Sequence, residues 1–84
     1  MPRILYFAQL ADALGMTSED ITLPSASVSV TELLQLLAGS DAARQRVFAD
    51  ASKFRVAVNK AFASPETRVN AGDEVAIVPT GPLN

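Results

Sequence analysis

Seven cations, nine carboxylates, one tyrosine and no histidine or cysteine are what the 84 residues offer for chemistry. Without cysteine there is no thiol nucleophile, no thiolate metal site and no disulfide. Without histidine, the commonest general base and metal ligand is missing. An active site would have to rest on carboxylates, Lys, Ser or Tyr alone. Asp73-Glu74 directly follows Asn70-Ala71-Gly72, so the pair reads as turn carboxylates entering a strand rather than as an acid/base or metal pair. Lys60, next to Asn59, reads equally as a hairpin turn or a charged contact for a partner. Thr80-Gly81-Pro82, just before Leu83-Asn84, looks, taken alone, like part of an ordinary frayed terminus. The expectation is a chain with no catalytic side chain of its own, no metal site and no bound cofactor.

The net charge of −2 and a pI near 4.8 argue against nucleic acid, whose phosphates require clustered Lys and Arg. The basic residues Arg3, Arg44, Arg46, Lys53, Arg55, Lys60 and Arg68 are scattered and read as solvated surface. No apolar run approaches the ~20 residues of a membrane span, and Met1-Pro2-Arg3 leads into an apolar stretch without a signal-peptide pattern. A soluble cytoplasmic protein is expected. The length allows one domain, and 49% hydrophobic with 19% charged residues is a globular composition.

The elements that would position these groups follow from pattern. Residues 3–10 (RILYFAQL) read as a strand with Ile4, Tyr6 and Ala8 on one face and Leu5 and Phe7 on the other. Both faces are apolar, which suits a central strand covered on one side and docked by a partner on the other. Residues 11–16 favour a helical turn stopped at Gly15. Residues 19–23 (EDITL) alternate as a second strand, ended by Pro24 and a Ser25-Ala26-Ser27 loop. Ser29-Val30-Thr31-Glu32 has the form of a capping box, and Leu33, Leu34, Leu36 and Leu37 follow at helical spacing as core residues, with Gly39 as terminator. Residues 41–49 form a second helical segment anchored by Val47 and Phe48. Residues 54–59 alternate as a strand, Asn59-Lys60 turns, and residues 61–63 return briefly. Asn70-Ala71-Gly72-Asp73 turns into the last strand, residues 74–79 (EVAIVP).

A hairpin, a crossover helix and a second hairpin with helices on one sheet face make an α+β domain. The first and last strands are the most apolar, and a right-handed crossover sets them side by side in parallel at the sheet centre. That arrangement is the ubiquitin-like β-grasp, a mixed sheet packed against a helix. A ferredoxin-like split βαβ is the rival, but it needs a second strong helix between later strands. The domain is assigned to residues 1–79 and the tail to residues 80–84.

The opening RILYFAQLADALG and the stretches AVNKAF and VNAGDEVAIVPTG resemble the molybdopterin synthase small subunit (molybdopterin-converting factor subunit 1) family of ubiquitin-like sulfur carriers. GDEVA, two apolar residues and Pro is the most specific piece, although the related thiamine-pathway carriers share it. The resemblance implies a carrier whose C-terminal carboxylate is adenylated by an E1-like, ATP-using adenylyltransferase and converted to a thiocarboxylate. This group would donate sulfur to a pterin precursor inside the large subunit of molybdopterin synthase. On this chain the carboxylate is that of Asn84, on a tail of Thr80, Gly81, Pro82, Leu83 and Asn84. The family closes on Gly-Gly, where this sequence has Leu83-Asn84, and it commonly carries Arg-Glu where this sequence has Ala11-Asp12. Phe7, Phe62 and Val78 are candidates for a partner-facing apolar patch; core or isolated exposed positions are the plain alternative. The competing functions are a non-catalytic β-grasp binding module and a thiamine-pathway carrier.

Overall fold

The fold is built around one parallel pair made from the two ends of the chain. In the computed structural model, which describes residues 1–49 and 53–80, β1 (Arg3–Tyr6) lies parallel to β7 (Glu74–Pro79), with Arg3 opposite Glu74 and Tyr6 opposite Ile77. β2 (Ser18–Asp20) pairs antiparallel to β1, while β4 (Phe54–Val58) pairs antiparallel to β7 and to β5 (Ala61–Phe62). The resulting order is β2-β1-β7-β4-β5. This is the ubiquitin-like β-grasp expected from the sequence, with helices α1 (Gln9–Leu14), α2 (Val30–Ala38) and α3 (Ala42–Phe48).

Helix α2 begins where expected. Ser29 Oγ accepts from the Glu32 amide at 3.1 Å, and Glu32 Oε1 accepts from the Ser29 amide at 3.0 Å. Two of the helix's orphan donors are thereby satisfied. Val30, Leu33 and Leu37 lie buried against Ile4, Val75 and Ile77 in one core cluster. The four leucines are not all core, however. Leu34 is half-buried and Leu36 exposed, because only the 30-33-37 stripe faces the sheet. Asp41 caps α3 by accepting from the amides of Ala43 and Arg44. Phe48 closes the core, its ring 6.4 Å from Tyr6 and 5.8 Å from Phe54. Val47, the other anchor expected in α3, is only partly buried.

Several boundaries differ from the sequence reading. The first strand stops at Tyr6, because Ala8 takes φ 50°, ψ −128° and swings the chain into α1, burying Leu10. The helix therefore starts two residues earlier, and Gly15 ends it in the left-handed region at φ 72°. The second strand is Ser18–Asp20 rather than residues 19–23. The Ile21 amide still bonds the Pro2 carbonyl in register, but proline has no N–H to return the bond, and the strand ends there. A second sheet went unforeseen: β3 (Ser27–Ser29) pairs antiparallel to β6 (Arg68–Asn70), with Val28 opposite Val69 and both buried.

Candidate functional site

The helices cover one face of the large sheet and leave the other open. On the covered face β1 presents Ile4 and Tyr6, β7 presents Val75 and Ile77, and β4 presents Phe54 and Val56, all buried. Strand alternation sends the intervening residues outward. Register then aligns Leu5, Ala76, Ala57 and Phe62 in a single row across β1, β7, β4 and β5. Val78 lies opposite Arg55 in the next row, and the Phe7 amide bonds the Ile77 carbonyl at 3.3 Å, extending the parallel ladder beside it.

The three apolar residues singled out in the sequence occupy different parts of this surface. Phe7 is 46% exposed, Phe62 is 62% exposed and Val78 is half-buried. Phe7 and Val78 lie on adjacent strands. Phe62 sits at the far border, three strand spacings from β1, or roughly 14 Å. Arg55 links the two halves, because its guanidinium stacks 4.0 Å above the Phe62 ring. The open face is thus an apolar strip with a cation in it, suited to association rather than to proton transfer.

The chain leaves the sheet at the edge of this strip. β7 ends at Pro79, opposite Phe54, and the Thr80 amide bonds the Lys53 carbonyl at 3.0 Å. The remaining tail positions proposed from the sequence, Gly81, Pro82, Leu83 and Asn84, lie outside the described residues.

Of the Asp73-Glu74 pair, the Asp73 carboxylate is the turn ligand. Asp73 Oδ2 accepts from the Asn70 amide at 2.8 Å and Oδ1 from the Asn59 side chain at 3.1 Å. The Asn70 amide, then the Asn59 amide group, holds the Asp73 carboxyl below its usual range. Asn59 and Lys60 both take positive φ, 51° and 72°, which joins β4 to β5 by a two-residue hairpin turn of the primed kind. Glu74 is an exposed residue at the start of β7.

One polar cluster escaped the sequence reading. Glu19 Oε2 accepts both from the Tyr6 hydroxyl and from Arg44 Nη2, the latter at 2.7 Å, while Arg44 Nη1 bonds the Leu37 carbonyl at 2.9 Å. Arg44 is therefore not plain solvated surface: it ties α3 to β1, β2 and the end of α2. Burial opposes its charge, but Glu19 more than offsets this and raises its pKa. Burial, followed by the bond to Glu19, pushes the Tyr6 hydroxyl well above its ordinary range. The three residues come from separate elements, and no local spacing links them.

Comparison with known proteins places this geometry. No curated protein matches the sequence. SAMP1 from Haloferax volcanii is 27% identical, with a TM-score of 0.79 over 96% of this chain and 98% of that one. A Pyrococcus furiosus protein described as a candidate subunit 1 of the molybdopterin converting factor shares the fold at 23% identity, with a TM-score of 0.76 over 93% and 94% of the two chains. The profile of the ThiS family matches residues 4–81, which take in every strand and helix described above except Arg3 at the start of β1. The chain belongs to the ThiS family of ubiquitin-like sulfur carriers.

Proposed function

We propose that the chain is the small sulfur-carrying subunit of a molybdopterin synthase. The observation that supports this best is the uncovered apolar strip of Leu5, Phe7, Ala76 and Val78 beside the point where the chain leaves β7 at Thr80. A partner that docks on the strip receives the tail in a defined direction. In this reading the strip serves both the large synthase subunit and an E1-like adenylyltransferase. A carboxylate is a poor electrophile, so ATP first converts the carrier's C-terminal carboxylate to an acyl adenylate with release of pyrophosphate, and a sulfide-level sulfur from the donor then displaces AMP to leave a thiocarboxylate. The large subunit supplies the site where that sulfur reaches the pterin precursor. No side chain of the carrier takes part, consistent with a sequence lacking histidine and cysteine.

Leu83 and Asn84 favour a second reading, a binding module that keeps the docking face and has lost sulfur transfer. Glycine passes through a channel that a side chain blocks. Incubation with the activating enzyme, ATP and a sulfur donor, followed by intact-mass measurement, separates the two. Replacement of one oxygen by sulfur at the C-terminus, with dithiolene formation once the large subunit is added, is expected of the carrier. A complex with the large subunit that turns over only after Leu83→Gly and Asn84→Gly identifies the module. Transfer to a thiazole precursor instead would move the chain to the thiamine pathway.

A further inference from the structure

Phe7, at the end of the open face, is held between two fixed points. On one side its amide bonds the Ile77 carbonyl at 3.3 Å, the last rung of the parallel ladder. On the other, Leu10 is completely buried in the core and its amide bonds the Phe7 carbonyl at 3.1 Å. That second bond closes a four-residue turn, Phe7-Ala8-Gln9-Leu10, from which α1 departs, and the Ala8 carbonyl accepts from the Ala11 amide at 3.1 Å. Ala8 is the first central residue of this turn. Its φ of 50° and ψ of −128° are the II′ geometry that glycine ordinarily supplies.

Packing does not explain an alanine there. L-Alanine is strained in this region, because its Cβ crowds the adjacent backbone. Ala8 and Gln9 are both exposed, and neither packs against the core cluster. Glycine would make the same turn without the clash. What alanine adds is restriction: its methyl group closes most of the backbone states open to glycine, leaving few that satisfy both anchors. Strain of this kind persists only where the surroundings over-determine the backbone, and it concentrates at functional sites. The feature it serves is the preceding residue. Phe7 is 46% exposed beside Val78, and no ring contact to it occurs among the described residues, so the backbone alone sets the direction of its Cα–Cβ bond.

We infer that Ala8 is a positioning residue for docking, which locks the corner and so presents Phe7 already ordered to the partner that covers the open face. The inference rests on the docking reading given above and names the residue that sets its geometry. A side chain ordered before association loses less freedom on binding, and the difference is expressed as affinity.

The test compares three forms of the full chain: wild type, Ala8→Gly, and a synthetic chain with D-alanine at position 8, for which positive φ is the relaxed region. Each is followed by urea unfolding, by NMR relaxation of the Phe7 ring and neighbouring amides, and by calorimetric titration with the large subunit of molybdopterin synthase. Ala8→Gly should raise the urea midpoint as strain is released. It should nevertheless loosen Phe7 and weaken docking about two- to fivefold, because the corner spends part of its time out of place. The D-alanine chain should keep the higher midpoint and dock at least as tightly as wild type. A merely structural residue would move stability and docking in the same direction. The inference is overturned if Ala8→Gly lowers the midpoint, leaves Phe7 as ordered as before or docks as tightly as wild type, or if the D-alanine chain docks no better than Ala8→Gly. Wild type that does not bind the large subunit overturns the docking reading instead, and the relaxation comparison then decides whether Ala8 holds Phe7.

Discussion

Replacing Glu19 with Gln removes one charge and little volume, so its effect isolates the cluster that holds α3 to the sheet. Glu19 Oε2 is shared by the Tyr6 hydroxyl and Arg44 Nη2, and the Arg44 and Glu19 side chains are 20% and 23% exposed. Fully exposed pairs contribute about 0.2–1 kcal/mol, and breaking a fully buried pair costs about 3–5 kcal/mol. One-fifth exposure puts this pair between those limits, near the ~1.5–3 kcal/mol typical of hydrogen bonds to charged groups. For a domain of this size that loss lowers Tm on the order of 10 °C. Urea unfolding followed by far-UV circular dichroism measures it without depending on Tyr6, the chain's only tyrosine. Tyr6→Phe and Arg44→Met complete a double-mutant cycle with a coupling of about 0.5–3 kcal/mol. A Glu19→Gln loss under about 0.5 kcal/mol, or additive single effects, would refute the assignment of a structural role to the cluster.

Three further outcomes are expected. Ser29→Ala removes the oxygen that caps Glu32 and should cost about 1 kcal/mol in a urea melt. Lys60→Gly relieves a left-handed residue in the Asn59-Lys60 turn and should raise stability by roughly 0.5–1 kcal/mol, after allowing for the entropy of glycine. Acid should destabilise the fold through Glu32, whose carboxyl is held low by the Ser29 amide, and Asp73, held low by the Asn70 amide. Both bind protons less readily folded than unfolded. Their contribution is thus present above the ordinary carboxylate range and lost as pH falls through and below it. Glu32→Gln with Asp73→Asn should flatten the fall in urea midpoint between about pH 6 and pH 3; an unchanged slope would place the acid sensitivity elsewhere.

What could be read in advance was whatever the chain encodes locally. The capping box at Ser29 and the β4 and β7 alternations lie within a few residues of one another, so β4 and β7 emerge where expected, β4 one residue shorter. β3 and β6 were hidden because each is three residues long and buries one valine, Val28 or Val69, which leaves no alternation to detect. The end of β1 was missed because nothing in Phe7-Ala8 announces a positive φ at an alanine. Leu36 was taken as core because spacing fixes relative directions on a helix but not which direction meets the sheet. In the candidate site, the outward set was legible for Phe7 and Phe62, whereas the separation between them depends on strand order. The Tyr6-Glu19-Arg44 cluster depends on tertiary contact throughout.

The central β1–β7 pair carries a consequence for how the molecule is made. β7 stands between β1 and β4, so until it is in place the sheet is two unconnected hairpins, β1–β2 and β4–β5. The pairing joins strands far apart in the sequence, the kind of distant closure that slows folding and cannot begin before β7 has been synthesised. Thr80 follows directly on that last strand and is fastened to Lys53 at its end. A fixed point of departure from the sheet at Thr80 is therefore available only to a chain that has finished folding, and an incomplete or misassembled molecule would lack it.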